Sequence, residues 1–106
     1  MSTYTGRLEM TEILDRPLEV YLDLDQESLA MWTVDGEEIG EWPLGTVQIT
    51  GRDDGFTFKI HGIPAWVRTN DDGAFATEIG LRWAPPRLRR LMAAHARPTE
   101  RHPALT

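Results

Sequence analysis

From Leu18 to Asp25, apolar and polar residues alternate one for one: Leu18, Val20, Leu22 and Leu24 against Glu19, Tyr21, Asp23 and Asp25. A strand turns successive side chains to opposite faces, so this pattern predicts a strand with one buried face. Phe56, Phe58 and Ile60 alternate with Thr57, Lys59 and His61 in the same way. Leu8 and Met10 against Arg7, Glu9 and Thr11 give a weaker first strand. An apolar run from Leu29 to Val34 carries Met31 and Trp32, Val47 and Ile49 flank Gln48, and Phe75, Thr77, Ile79 and Leu81 form a last alternating run. Asp35-Gly36, Asp54-Gly55 and Asp72-Gly73 each sit between such runs. Glycine accepts a positive φ and aspartate tolerates the neighbouring turn position, so each pair predicts a hairpin. Arg16-Pro17 and Gly62-Ile63-Pro64 are further breaks. The pattern predicts about six or seven short antiparallel strands in a meander.

Near Pro85-Pro86 the period changes. Leu88, Leu91, Met92 and His95 fall at i, i+3, i+4 and i+7, one face of a helix, with Arg87, Arg89, Arg90 and Arg97 on the other side. Pro86 suits a first helical turn and Pro98 is expected to end the helix. The predicted fold is mainly β: an antiparallel bent sheet or partly open barrel of about seven strands, capped by one C-terminal helix over 86–96. Strands with one apolar face need a cover. Leu88, Leu91 and Met92 are therefore expected to face Leu22, Leu24, Phe56, Phe58 and Ile79, and Leu91→Asp to loosen the domain. Residues 1–97 read as one domain, and 98–106 as a flexible tail or the start of a linker.

Strands followed by one C-terminal amphipathic helix resemble the pleckstrin-homology-like fold, including its bacterial and GRAM-type relatives. The resemblance is densest in Leu18-Glu19-Val20-Tyr21-Leu22-Asp23, in Trp32-Thr33-Val34-Asp35-Gly36 and in Glu41-Trp42-Pro43-Leu44. It departs from the eukaryotic members at two places. Trp83 precedes the helix, where theirs carries a core tryptophan. Leu14-Asp15-Arg16-Pro17 offers one arginine, where their phosphoinositide sites use a basic cluster, so phosphoinositide binding is not carried over. The resemblance implies a scaffold or binding role by analogy of fold.

Charge divides the chain. Residues 1–81 carry a net of −11 and residues 82–106 a net of +5, within a total of −6 over 106 residues. An acidic body argues against general nucleic-acid coating, which needs a domain-wide positive field. Ten of the eleven basic residues are arginine, a bias expected of a GC-rich genome. There is no cysteine, which removes disulfides, thiol catalysis and thiolate metal sites and fits a cytoplasmic location. The N-terminus has no apolar core of a secretory signal, and no apolar run is long enough to span a membrane.

Candidate chemistry is sparse. Asp23-Leu24-Asp25-Gln26-Glu27 opens like a calcium loop, but Ser28 and Val34 stand where such a loop needs glycine and glutamate. The carboxylates at Glu37, Glu38, Glu41, Asp53, Asp54, Asp71 and Asp72 flank glycine turns, where backbone chemistry explains them. Two serines and three histidines, His61, His95 and His102, supply neither a nucleophile with its base nor a metal cluster. No cofactor, metal or catalytic residue is expected, and the chain reads as non-enzymatic. An enzyme alternative, a small hydrolase or transferase, would use His61 beside a carboxylate.

The sequence points to a protein-interaction module that binds a protein segment, or associates with itself, through a sheet edge or a groove beside the helix. Its candidate binding residues are Trp42 and Trp66, each beside a strand break, and the arginines Arg87, Arg89, Arg90 and Arg97. An electrostatic alternative has those arginines docking an anionic partner, nucleic acid or a membrane surface.

Overall fold

A computed structural model describes residues 2–81 and 83–104, with the side chains of its last helix described through His95. The alternating segments form seven strands: β1 (Ser2–Glu9), β2 (Leu18–Leu24), β3 (Ser28–Thr33), β4 (Glu38–Pro43), β5 (Thr50–Arg52), β6 (Gly55–Ile60) and β7 (Ile63–Thr69). All pair antiparallel in one sheet of order β4-β3-β2-β1-β7-β6-β5. β1 joins the two halves, setting Leu8 opposite both Leu18 and Val67. β4 and β5 stand at the two edges and do not pair, so the sheet curls into a half-barrel with an open seam.

The predicted faces are observed. Val20, Leu22 and Leu24 are buried on the concave side while Glu19, Tyr21 and Asp23 face out. Phe56, Phe58 and Ile60 do the same on β6. Two of the three Asp-Gly pairs are hairpin turns. Gly36 has φ 95° between β3 and β4, and Gly55 has φ 143° at the start of β6. His61, expected on a strand face, instead lies in the two-residue β6–β7 turn, where His61 (φ 51°) and Gly62 (φ 80°) both take the left-handed conformation of a type I′ hairpin.

The third Asp-Gly pair opens a helix. The run from Phe75 to Leu81, expected as a last strand after that turn, instead belongs to α1 (Asp72–Glu78) and its C-terminal cap. Asp71 is its N-cap, its Oδ1 accepting from the Ala74 N–H at 3.1 Å. Asp72 turns back to accept from the Thr69 N–H at 2.8 Å and the Thr69 hydroxyl at 2.6 Å. Gly80 (φ 71°) ends the helix: its N–H reaches the Thr77 carbonyl and the Leu81 N–H the Ala76 carbonyl, both at 3.1 Å, the two bonds of a Schellman cap. Phe75 is driven into the concave face, edge-on to Tyr4 (centroids 5.3 Å apart) and tilted on Phe56 (4.9 Å).

The cover of the half-barrel is thus shared. α2 (Pro86–Ala104) buries Leu88, which with Leu81 presses on Gly51 of β5, where a Cβ would come within 2.8 Å of both side chains. Leu91 does not face the sheet as expected. It is 37 % exposed, because its backbone rests on Gly73 of α1, which holds that turn outside the core. α2 also runs past Pro98, its expected end. A proline inside a helix removes one ladder N–H and crowds the carbonyl four residues before it, a cost that a helix absorbs by bending. Of the expected tail, residues 105–106 lie outside the described residues.

Candidate functional site

The seam positions a wide groove. On its inner side the two ends of the sheet meet through side chains: Trp42 of β4 stands edge-on to Phe58 of β6, centroids 5.4 Å apart. Residues 44–49 cross the seam, with Leu44, Val47 and Ile49 packed toward the core. Outside this crossing lies a groove of about 680 Å³, floored by Trp42, Val47 and Phe58 and rimmed by Thr46, Gln48, Thr50, Arg52, Thr57, Lys59 and the exposed Pro64. A second concavity of about 330 Å³ lies on the helix side of the crossing, between Leu44, Ile49 and Leu81.

Strand length decides what the groove offers. The β6–β7 turn closes on the hydrogen-bonded pair Ile60 and Ile63, so Ile60, Phe58 and Phe56 direct their backbone N–H and C=O to β7. Thr57 and Lys59 direct theirs the other way. Thr57 meets Thr50, the first residue of β5. Lys59 would meet position 48, but β5 does not extend that far, and the Lys59 backbone has no partner on that side among the described residues. One ladder position is therefore bare, and it opens into the groove.

The groove also differs from the rest of the sheet in charge. Its two ionisable rim residues are Arg52 and Lys59, and no carboxylate lines it. The Arg52 Nε lies 3.4 Å from the Thr57 hydroxyl. Arg68–Asp54, at 3.8 Å, is the ion pair among the described residues, and neither groove cation has an ion-pair partner among them.

The six sequence-selected residues do not converge. Trp42 is half-buried on the concave side and belongs to the groove. Trp66 is half-buried on the convex side, against Gly55, in a depression of about 50 Å³ with Arg7, Glu9 and Arg68, and its indole N–H is buried without a partner. Arg87 reaches back to the body, donating to the Asp53 carbonyl at 2.7 Å. Arg89 and Arg90 are exposed. The Arg97 side chain lies outside the described residues. Trp83, not among the candidate binding residues, is the most exposed large apolar residue among the described residues, at 68 %.

The remaining chemistry is structural. Asp25 caps the β2–β3 turn, accepting from the Glu27 and Ser28 N–H groups at 2.7 Å each, and these bonds lower its pKa. Tyr4 donates its phenol to Glu78, which also accepts from the Ser2 hydroxyl at 2.9 Å. Burial, then that carboxylate, raise the Tyr4 pKa well above the phenol range. His61 is exposed, with no hydrogen bond or ion pair to a carboxylate among the described residues, so the arrangement an enzyme reading needs is not assembled there. No cluster of potential metal ligands occurs among the described residues, and none of their helices is long and apolar enough to cross a membrane. Comparison with protein-family models and with curated proteins finds no match for the chain.

Sequence reasoning missed Arg52, Lys59, Thr57 and the 46–50 segment as a site. The period-2 pattern of β6 already put Thr57 and Lys59 on one side. What it did not carry was the length of β5, which leaves Lys59 uncovered.

Proposed function

We propose that this chain is a peptide-binding module that takes up an extended protein segment along the open seam, by adding a strand to the bare edge of β6. The observation that carries the proposal is the unpartnered Lys59 ladder position opening into a groove of about 680 Å³ with a tryptophan in its floor. Backbone pairing supplies sequence-independent attachment, and pockets for alternate side chains supply choice. Trp42 offers a large, half-buried apolar surface already fixed by its contact with Phe58, so little rotamer freedom is lost on binding. A curled antiparallel sheet covered by a C-terminal helix supports the pleckstrin-homology-like resemblance, and α1 is an addition to the pattern from which that resemblance was read.

The test uses the donor itself. Lys59→Pro removes the bare N–H, which faces away from β7, so the β6–β7 ladder keeps its bonds. Short strand-forming peptides selected from a random library are expected to bind the wild-type chain and to lose binding to Lys59→Pro, while Lys59→Gln retains backbone pairing. Circular dichroism checks that both variants fold. Peptide binding unchanged in Lys59→Pro, or chemical-shift changes that avoid residues 46–59, sinks the proposal.

A further inference from the structure

We infer that the segment taken up at the seam is acidic, with a carboxylate held between Arg52 and Lys59. This rests on the peptide-binding reading and adds the chemistry of the partner. The two cations are conspicuous because of where they are. Residues 1–81 hold 16 carboxylates and 5 basic residues, so any cation on this body has carboxylates in abundance to pair with. Arg68 does so, while Arg7 and Arg16 have no ion pair among the described residues, so what sets Arg52 and Lys59 apart is the groove they share. Arg52 and Lys59 share one groove with no carboxylate in its lining. Both are exposed, and the Arg52 Nε lies beside the Thr57 hydroxyl, which turns the guanidinium toward the groove.

The neutral lining fits the same ligand. Thr50 and Thr57 provide hydroxyl donors and Gln48 an amide donor, which suit a carboxylate that the two cations have drawn in, while the Thr46 hydroxyl is already given to the Pro43 carbonyl at 3.1 Å. The Lys59 N–H itself points the same way. An alternating acidic strand lying on this edge sets its backbone against Lys59 and its carboxylates over the cations, with intervening apolar side chains toward Trp42. The negative remainder of the sheet repels such a segment, so attraction is confined to the seam, and a basic segment is refused there by the same two charges.

Lys59 is the only lysine in the chain, which makes the test site-specific. The probes are three short strand-forming peptides of one alternating sequence, carrying Glu, Gln or Lys at the polar positions. The Glu peptide is expected to bind at the seam by amide chemical-shift mapping, and the Gln peptide about two- to fivefold more weakly per ion pair lost. The Lys peptide is expected not to bind. Carbodiimide coupling should join the Glu peptide to Lys59, and Arg52→Gln and Lys59→Gln should each reduce its affinity without changing that of the Gln peptide. Equal affinity of all three peptides at the seam overturns the charge inference and leaves the peptide-binding reading standing. No binding of any peptide at the seam overturns both. Coupling confined to the N-terminal amine, or shifts centred on Arg89 and Arg90, also overturns the inference.

Discussion

Gly73 gives a prediction that, with a companion variant, separates a helix–helix contact from a hairpin turn. It stands in the first turn of α1, and an added Cβ there would lie 2.5 Å from the Leu91 carbonyl oxygen and 2.7 Å from its carbon. Both are backbone atoms of α2, so no rotamer change relieves the contact. α2 would have to retreat by roughly 1 Å to reach ordinary van der Waals distance. Leu88, a turn earlier, is pressed on Gly51 and resists that movement. Overpacking of this kind costs about 1–3 kcal/mol. Helix propensity acts in the opposite direction, favouring Ala over Gly by up to about 1 kcal/mol. Gly73→Ala is therefore expected to destabilise by about 1–2 kcal/mol, which for a domain of this size lowers the thermal midpoint by about 4–15 °C.

A companion variant removes an ambiguity. If Asp72-Gly73 were a hairpin turn, Gly73→Ala would also destabilise, through φ, but asparagine would be tolerated in the left-handed conformation. Against the Leu91 backbone, asparagine is larger than alanine and worse placed. Thermal unfolding followed by circular dichroism should rank the midpoints wild type, then Gly73→Ala, then Gly73→Asn. An unchanged or raised midpoint for Gly73→Ala, or Gly73→Asn more stable than Gly73→Ala, refutes the helix–helix contact.

The other predictions concern the cover and the polar contacts. Leu88→Ala should cost about 2–5 kcal/mol in urea unfolding, because Leu88 is fully buried, whereas Leu91→Asp should cost under about 1 kcal/mol, because Leu91 already meets solvent. Equal losses would show that α2 is rotated from the described position. Tyr4 has its folded-state pKa raised, so its contribution is complete below about pH 10 and lost as pH rises through the folded value. Unfolding measured from neutral to alkaline pH should show stability falling above that point in the wild type and a flatter profile in Tyr4→Phe. Asp25 has its pKa lowered, so its contribution is present above about pH 4 and lost as pH falls further. Asp25→Asn should flatten the acid limb of the stability profile, and an unaltered limb would show that the turn does not depend on the charge.

The strands were readable because their information is local. β2 and β6 alternate cleanly, and Asp35-Gly36 and Asp54-Gly55 carry their turns in the residues themselves. α1 was not read because seven residues satisfy both periods. Phe75, Thr77 and Ile79 alternate as in a strand, yet Phe75 and Ile79 are also one helical turn apart. The deciding signals stood outside the run: Asp71 as a cap before it and Gly80 as a stop after it. The small Gly73, Ala74 and Ala76 fit a helix packed closely on neighbours more than a strand that must fill a face. Without α1, α2 is the only cover the pattern offers, and Leu91 falls to a core that Phe75 occupies. The groove was legible in even smaller part. Lys59's side follows from alternation, but its bare backbone depends on where β5 begins, and β5 is set by how residues 44–49 cross the seam.

That dependence bears on what the seam admits. A sheet edge invites pairing with any strand, and proteins defend edges with charge and proline. β4 is defended by Glu38, Glu41 and Pro43 along its length. The bare position on β6 carries only Lys59, with Arg52 nearby. Two-fold pairing of two copies through this edge would set Lys59 near the Lys59 of the other copy, across a short and still partly solvated gap, with both arginines close by. Like charges directly opposite on paired strands are destabilising. The charge that selects an acidic segment therefore also discourages self-pairing at the same edge. Sedimentation velocity is expected to show no dimer formed through the seam at micromolar concentration, and Lys59→Glu, mixed with the wild-type chain, is expected to permit hetero-pairing that neither forms alone. A wild-type dimer in which Lys59 amides are shielded from exchange, stable at low salt, would show that the lysine does not guard this edge and that the seam's natural occupant is a second copy.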